Sequence, residues 1–482
     1  MVRVGSLRIA FIHDNQNTPD GVATVIRNNM RGLQELLWSR AVDPHFHLIG
    51  ATGHFDLGQF PGIDQSNIIY SGVDHLKVRN DEIADADVTP LAEEACSQIL
   101  AAVANDDIVI FENPLIGHYA VSLEAFSLLI NRFPVLYPAK DLVGRIHDLA
   151  EDRPDTVMPF LKARYRNDPA KMNELLYPGG VTLITMCDQF LRQIRAMNPA
   201  ATISFLPNSI SFPPNVSDAN NAAVREMLGL GSLADGQPAK VITYPVRSMP
   251  RKCVEEAILL VEIMNRLFAG NGPFQLALPL TGSPVHTSYQ RQVADFIGRV
   301  GARHAKYLPF EVQAEGEYSL FGQFMKPGIY DLINASAATI TTGRQEGFGY
   351  AFVEPFTAGK GKPIFGRRLN VTRQEFESRG IDYRGFLYDR LDFQGRDLAE
   401  IEPLPEKLAL IARILTEANS TQAFVRENGV YFSRLEKLFD PDTNYIAVNR
   451  EIITREYSPR GVALRLLAET GLKNDLASIF GQ

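Results

Sequence analysis

The chain has 482 residues, more than one hydrophobic core ordinarily supports, so two or three domains of about 100–200 residues each are expected. Its 45% hydrophobic and 22% charged residues, with 36 Gly and 29 Pro, match an ordinary globular composition and exclude a disordered or fibrous chain. The 48 basic and 56 acidic residues give a net charge of −8, which opposes nucleic acid or an anionic membrane as partner. Cys96, Cys187 and Cys253 are widely spaced and odd in number, so neither a disulfide framework nor a Cys-rich zinc site is available, and a reducing, cytoplasmic setting is expected. The apolar run near the amino terminus is too short for a signal peptide, and no stretch approaches the ~18 apolar residues of a membrane span.

Taken in chain order, Leu7 to Ile12 reads as a short buried strand that runs into a polar loop, His13 to Gly21. Val22, Val25, Ile26, Met30, Leu33 and Leu37 then recur at three- and four-residue spacing, the pattern of an amphipathic helix packed on a sheet. Strand, Gly-bearing loop and helix open a doubly wound α/β domain. Further strands are expected at Asp107–Glu112 and Val181–Met186. After Leu206-Pro207-Asn208 the composition turns to Pro, Asn, Asp and Gly, and a new strand begins at Lys240. The domains expected are therefore 1–212, a linker 213–239, and a second α/β domain 240–404 with strands near 240–245, 274–280, 337–342 and 362–366. Residues 405–482 read as successive helices, with a return to the first domain as a candidate path.

Two segments carry most of the chemistry. Thr341 to Pro355 follows a strand and opens a helix. Gly347 and Gly349 let backbone approach a ligand, and the N–H groups of the helix start suit a phosphate or a developing anion. Glu346 in the loop and Glu354, about two turns into the helix, can grip two hydroxyl-bearing parts of one extended ligand. The plainer alternative is packing glycines and glutamates that only complement a helix dipole. After the strand at 240–245, Arg247 and Lys252 form a cationic pair where an α/β sheet binds ligands, suited to clamping a diphosphate; the alternative is a solvated basic loop.

The Glu346…Glu354 element with its Gly-Phe-Gly core, the Arg247…Lys252 pair and the two-domain layout resemble retaining glycosyltransferases of the GT-B fold, in particular family 4. The resemblance implies two Rossmann-like domains of doubly wound parallel sheet facing a central cleft, with a helical C-terminal segment. It implies a nucleotide diphosphate sugar as donor and a hydroxyl-bearing acceptor as partners. Arg247 and Lys252 would hold the diphosphate, Glu354 the ribose, and Glu346 with the backbone of Gly347, Phe348 and Gly349 the donor sugar. Gly21 matches a family glycine beside the donor phosphates, although the usual Gly-Gly is here Asp20-Gly21. A family histidine that contacts the donor sugar maps onto His147, with Asp148 as an adjoining carboxylate that could orient it. His147 and Glu346 are thus the catalytic candidates. His13 is a second histidine candidate on the acceptor side, and Asn113 and His118, after the strand at 107–112, either face the acceptor or cap the next helix. Family members often have Gly where this chain has Cys253, and Pro355 follows Glu354 where it would remove a helical donor and kink the first turns.

The reaction implied is transfer of a hexosyl group with retention, a leaving phosphate oxygen acting as base. No DxD-like motif lies near these elements, so neither a metal nor a resident cofactor is expected. A GT-B disaccharide phosphorylase using inorganic phosphate is the nearest alternative, and a non-catalytic sugar-nucleotide binding protein a distant one. A nucleotide-sugar epimerase gives the paired glutamates less reason to be present. A nicotinamide dehydrogenase is disfavoured, since no GxGxxG follows the first strand. Residues 240–375 hold 16 basic and 11 acidic side chains, a balance of +5 within a chain of −8. The positive charge is therefore concentrated where a diphosphate would sit.

Overall fold

The computed structural model describes residues 5–470 apart from 15–20, 54, 61, 81, 116–118, 151–156, 167, 211–217, 247, 281–286, 312–316, 319–323 and 440–443. It divides into two compact units, 1–210 with 455–482 and 211–454. Unit 1 is built on seven strands: β1 (Gly5–Ile12), β2 (Val42–Ala51), β3 (Ile68–Val73), β4 (Ile108–Glu112), β5 (Asp141–Ile146), β6 (Thr182–Thr185) and β7 (Thr202–Phe205). All pair in parallel, in the order β3-β2-β1-β4-β5-β6-β7. Such a sheet must be covered on both faces. Accordingly β4 is buried at every residue and β1 from Ile9 onward.

The helix Gly21–Trp38 turns its expected stripe inward, with Ile26, Met30, Leu33 and Leu37 in the same core as Ile9 and Phe11. Val462, Ala463, Leu466 and Leu467 of the helix Pro459–Glu469 belong to that core as well. The chain therefore leaves unit 1 at residue 210 and rejoins it at Arg455, through the helix Asn444–Tyr457. The two helices approach so closely that a Cβ at Gly32 would collide with the Pro459 carbonyl. Backbone cannot yield as a side chain can. Gly32→Val is thus expected to destabilise unit 1 by about 1–3 kcal/mol through overpacking, read as a lowered Tm.

Unit 2 holds β8 (Lys240–Thr243), β9 (Phe274–Leu280), β10 (Ala305–Glu311), an antiparallel pair β11 (Glu317–Tyr318) and β12 (Phe324–Lys326), then β13 (Ala338–Thr341), β14 (Ile364–Arg367) and β15 (Leu387–Tyr388). Its main sheet is parallel, in the order β10-β9-β8-β13-β14-β15. The expected linker 213–239 needs correction. Within it Asp218–Leu228 is a helix, and Val224 and Leu228 pack with Val241, Ala277 and Leu332 in the core of unit 2. Pro, Asn and Gly around it raised the loop signal, while two well-spaced apolar residues were enough to bury the helix. No helix among the described residues is long and apolar enough to cross a membrane.

Candidate functional site

In each sheet the order of strands reverses once, between β1 and β4 in unit 1 and between β8 and β13 in unit 2. Ligands of open α/β sheets bind outside the carboxyl ends of the strands at such a point. Most of the residues singled out in the sequence follow these strands.

In unit 2 the segment after β8 makes one 3₁₀ turn, Pro250–Lys252, before the helix Val254–Leu267. Arg247 lies outside the described residues. The turn is fixed from beneath. Tyr244 donates its hydroxyl to the Lys252 carbonyl (2.5 Å) and accepts the Thr342 N–H (3.1 Å), while the Thr342 hydroxyl bonds the carbonyls of Lys252 (3.2 Å) and Cys253 (2.8 Å). The ends of β8 and β13 are thereby locked together. Cys253 has φ of +49°, a left-handed conformation in which glycine is at ease and other residues cost about 1–2 kcal/mol. That is a physical reason for glycine at this place, and for the cost this chain bears with Cys253.

Above the turn the ammonium of Lys252 is buried against the Glu346 carboxylate in a direct ion pair, and Arg251 stands 3.9 Å from the second oxygen. The cation expected to hold phosphate and the carboxylate expected to hold sugar are therefore partners in this structure. Gly349 has φ of +87°, and a Cβ there would meet Phe352, Phe376 and Val371 at 3.1–3.4 Å. Phe348 is buried, edge-on to Phe376 with ring centroids 5.5 Å apart. Its side chain thus anchors the loop, and only the backbone of Gly347, Phe348 and Gly349 is left to meet a ligand.

The helix after this loop departs from expectation. A 3₁₀ turn, Tyr350–Phe352, intervenes, and Glu354 is the first residue of a four-residue helix, Glu354–Thr357, instead of lying two turns into a longer one. Pro355 accordingly stands at the helix start, where a missing N–H costs nothing, and produces no kink. So short a helix supplies little of the aligned dipole that the sequence suggested. Glu354 itself is held by the Tyr330 hydroxyl, which donates to Oε1 at 2.7 Å. Burial pushes its carboxyl up to about 7, more than that hydrogen bond pulls it down.

Beneath the Lys252 turn lies a buried ionic network that the sequence did not announce. Lys407 Nζ, on the helix Leu404–Thr416, is 2.8 Å from Glu255 and 2.6 Å from Glu256, and Arg367 at the end of β14 is 2.7 Å from Glu256. The Tyr289 hydroxyl donates to Glu255 (2.6 Å) and that of Tyr388 to Glu256 (3.1 Å). Burial alone would raise the Glu256 carboxyl, but Lys407 and Arg367 hold it below its ordinary value. Cys253, Glu255 and Glu256 bring their ligand atoms within 4.8 Å of one another, the arrangement closest to a metal site among the described residues. Both carboxylates are already paired with buried cations, and burial followed by the nearby carboxylates pushes the Cys253 thiol up to about 12.

In unit 1 the carboxylate that meets His147 is Glu112, at the end of β4, instead of the adjoining Asp148. Glu112 Oε2 lies 2.6 Å from His147 Nε2, and Oε1 is 3.8 Å from the fully buried Arg145. Burial would raise the Glu112 carboxyl; Arg145, then His147 and His13, hold it lowered. The guanidinium of Arg145 also donates to the Pro207 carbonyl (3.3 Å) and to Asn208 Oδ1 (3.0 Å). His147 is buried.

Asn113, with φ of +57°, donates its N–H to the Arg145 carbonyl (2.6 Å) and accepts the N–H groups of both His147 and Asp148 on Oδ1 (3.1 Å each). It therefore shapes the turn that carries His147, a role distinct from capping the following helix. His13, after β1, is buried with Nδ1 3.0 Å from Asp14. Gly21 opens its helix exposed, and a Cβ there would meet no atom of the described residues within 4 Å. His118 lies outside the described residues. Period-two and period-3.6 patterns cannot show that β4 and β5 lie side by side, which is what brings Glu112, Arg145 and His147 together.

No protein-family model and no curated protein sequence matches the chain. Its fold, by contrast, is found among solved structures. A UDP-forming α,α-trehalose-phosphate synthase from Burkholderia xenovorans superposes with a TM-score of 0.56 at 12% identity, covering 97% of this chain and 98% of its own. The N-terminal domain of a Candida albicans trehalose-6-phosphate phosphatase gives 0.55 at 11%, covering 96% of both chains. An E. coli trehalose-6-phosphate protein bound with UDP-2-fluoro glucose gives 0.50 at 10%, covering 92% of this chain and 99% of that one. The architecture is the GT-B fold: two Rossmann-like α/β units of parallel sheet.

Proposed function

We propose that the chain is a glycosyltransferase that moves a hexosyl group from a nucleotide diphosphate sugar to a hydroxyl acceptor, with retention and without a metal ion. The observation that carries this reading is the Lys252–Glu346 pair at the strand reversal of unit 2, with Glu354 eight residues on. A departing diphosphate gathers negative charge, and a preorganised ammonium in a water-poor site stabilises it without reorganisation during the reaction. As phosphate takes over Lys252, Glu346 is released to accept sugar hydroxyls. Arg247, Gly21 and the backbone of Gly347, Phe348 and Gly349 are assigned to the donor by the same reading. His147, oriented by Glu112, is the candidate contributed by unit 1, with His13, Asn113, Asp148 and His118 assigned to the acceptor side. Retention places the proton of the acceptor hydroxyl on a leaving phosphate oxygen. The fold shared with a UDP-forming synthase supports a nucleotide-sugar donor.

A thermal-shift panel of UDP-, GDP- and ADP-hexoses tests the donor assignment. One nucleotide class should raise the Tm of the wild type and fail to raise that of Lys252→Ala or Glu354→Ala. A panel without any shift would refute it, and phosphate-dependent cleavage of a disaccharide without nucleotide would select a phosphorylase instead.

The raised Glu354 carboxyl adds a prediction whose sign is fixed. Ribose hydroxyls donate to the ionised carboxylate, so binding competes with the proton held up to about pH 7. Donor affinity should rise about tenfold from pH 6 to pH 8, as ionisation goes from about a tenth to nine tenths. Glu354→Gln should bind more weakly with no pH dependence in this window, as read by calorimetry. Without ligand the contribution to stability runs the other way: the folded protein holds a proton that the unfolded chain has lost, so this contribution falls as pH rises through 7.

A further inference from the structure

The second sheet has a cavity at its opposite edge, of about 780 Å³, within the range of small-molecule sites. Ala337, Pro363 and Phe386 line it and immediately precede β13, β14 and β15, so it opens at the amino ends of these strands. Lys252 and Glu346 follow carboxyl ends instead, which makes the cavity a separate place in the fold. Its other wall is the helix Gly429–Leu435, the 3₁₀ turn Glu436–Phe439 and the start of the helix Asn444–Tyr457.

Among the described residues its charged lining is wholly cationic: Lys362, Arg384, Arg434 and Lys437. Arg384 pairs with Asp382 at 3.3 Å and stacks 5.0 Å from the centroid of the Tyr445 ring. Arg434 and Lys437 stand three residues apart on one turn, and among the described residues neither is in an ion pair. Like charges at that spacing repel weakly, and an anion between them relieves the repulsion. Gly385 leaves room for Arg434, whose Cδ would stand 3.1 Å from a Cβ there. Phe386 and Tyr445 complete an apolar side.

We infer that this cavity binds a small organic phosphate, its phosphoryl group between Arg434 and Lys437 and its ring against Tyr445 and Phe386. The site is independent of the glycosyl-transfer reading and takes a ligand whether or not that reading holds. Calorimetry on the full chain at low ionic strength tests it, with glucose 6-phosphate and AMP as probes and inorganic phosphate and glucose as controls. At least one probe should bind saturably, and at least tenfold more weakly to the double variant Arg434→Glu, Lys437→Glu. Both substituted residues are exposed, and Arg434→Gln with Lys437→Gln provides a milder pair that should show the same loss in smaller measure. Saturable binding of neither probe would overturn the inference. So would binding that survives both double variants but is lost in Lys252→Ala. Inorganic phosphate bound as tightly as either probe would overturn the assignment of Tyr445 and Phe386.

Discussion

Lys252→Ala is expected to lower donor turnover by about 10²–10³, the usual effect of removing one preorganised group from the site of developing charge. The effect is large because the ammonium is buried and because the Glu346 carboxylate would be left with Arg251, half-exposed and 3.9 Å away, as its nearest cation among the described residues. The remaining negative charge would then repel a diphosphate. Glu346→Gln should act in the opposite sense on binding, tightening the nucleoside diphosphate by removing the carboxylate charge that competes for Lys252, while turnover falls because the sugar hydroxyls meet only a neutral amide oxygen. Release of nucleoside diphosphate from the donor, together with calorimetry of the diphosphate alone, checks both variants. Turnover of Lys252→Ala within threefold of the wild type would remove Lys252 from the mechanism.

Glu112→Ala is expected to have the largest effect on stability. It leaves Arg145 fully buried with its carboxylate partner gone, a change that costs about 3–5 kcal/mol. At that size the Tm of unit 1 should fall by roughly 10 °C. Glu112→Gln keeps the shape and separates structure from chemistry. It should fold with a smaller loss and retain donor affinity, yet turn over slowly, since His147 loses the carboxylate that orients it. A variant with normal turnover would make the carboxylate purely structural. The lowered carboxyl of Glu112 also sets a sign. Its contribution to stability is present above the ordinary carboxylate range and is lost as pH falls through its own lower value.

The strands that carry the site were legible because parallel strands buried on both faces are nearly continuous apolar runs, as at Ile108–Glu112 and Lys240–Thr243. Lys252, Glu346 and Glu354 were legible because short-range spacing placed them after strands. The Tyr244–Thr342 lock, the Glu255–Glu256–Lys407–Arg367 network and the Glu112–His147 pair were not, since their bonded partners lie 35 to 152 residues apart. Asp148 was the sequence neighbour, but neighbours along a turn diverge, while Glu112 and Arg145 sit in register on adjacent strands. The helix at Glu354 was misjudged because Gly349 and Pro355, both usual helix punctuation, here bracket a 3₁₀ turn.

Release of nucleoside diphosphate from UDP-, GDP- and ADP-hexoses, measured without added phosphate on the wild type and on Lys252→Ala, tests the account most directly. The account predicts turnover of one nucleotide class by the wild type and a loss of about 10²–10³ in the variant. Absence of release from every donor, or equal release by both proteins, would contradict it.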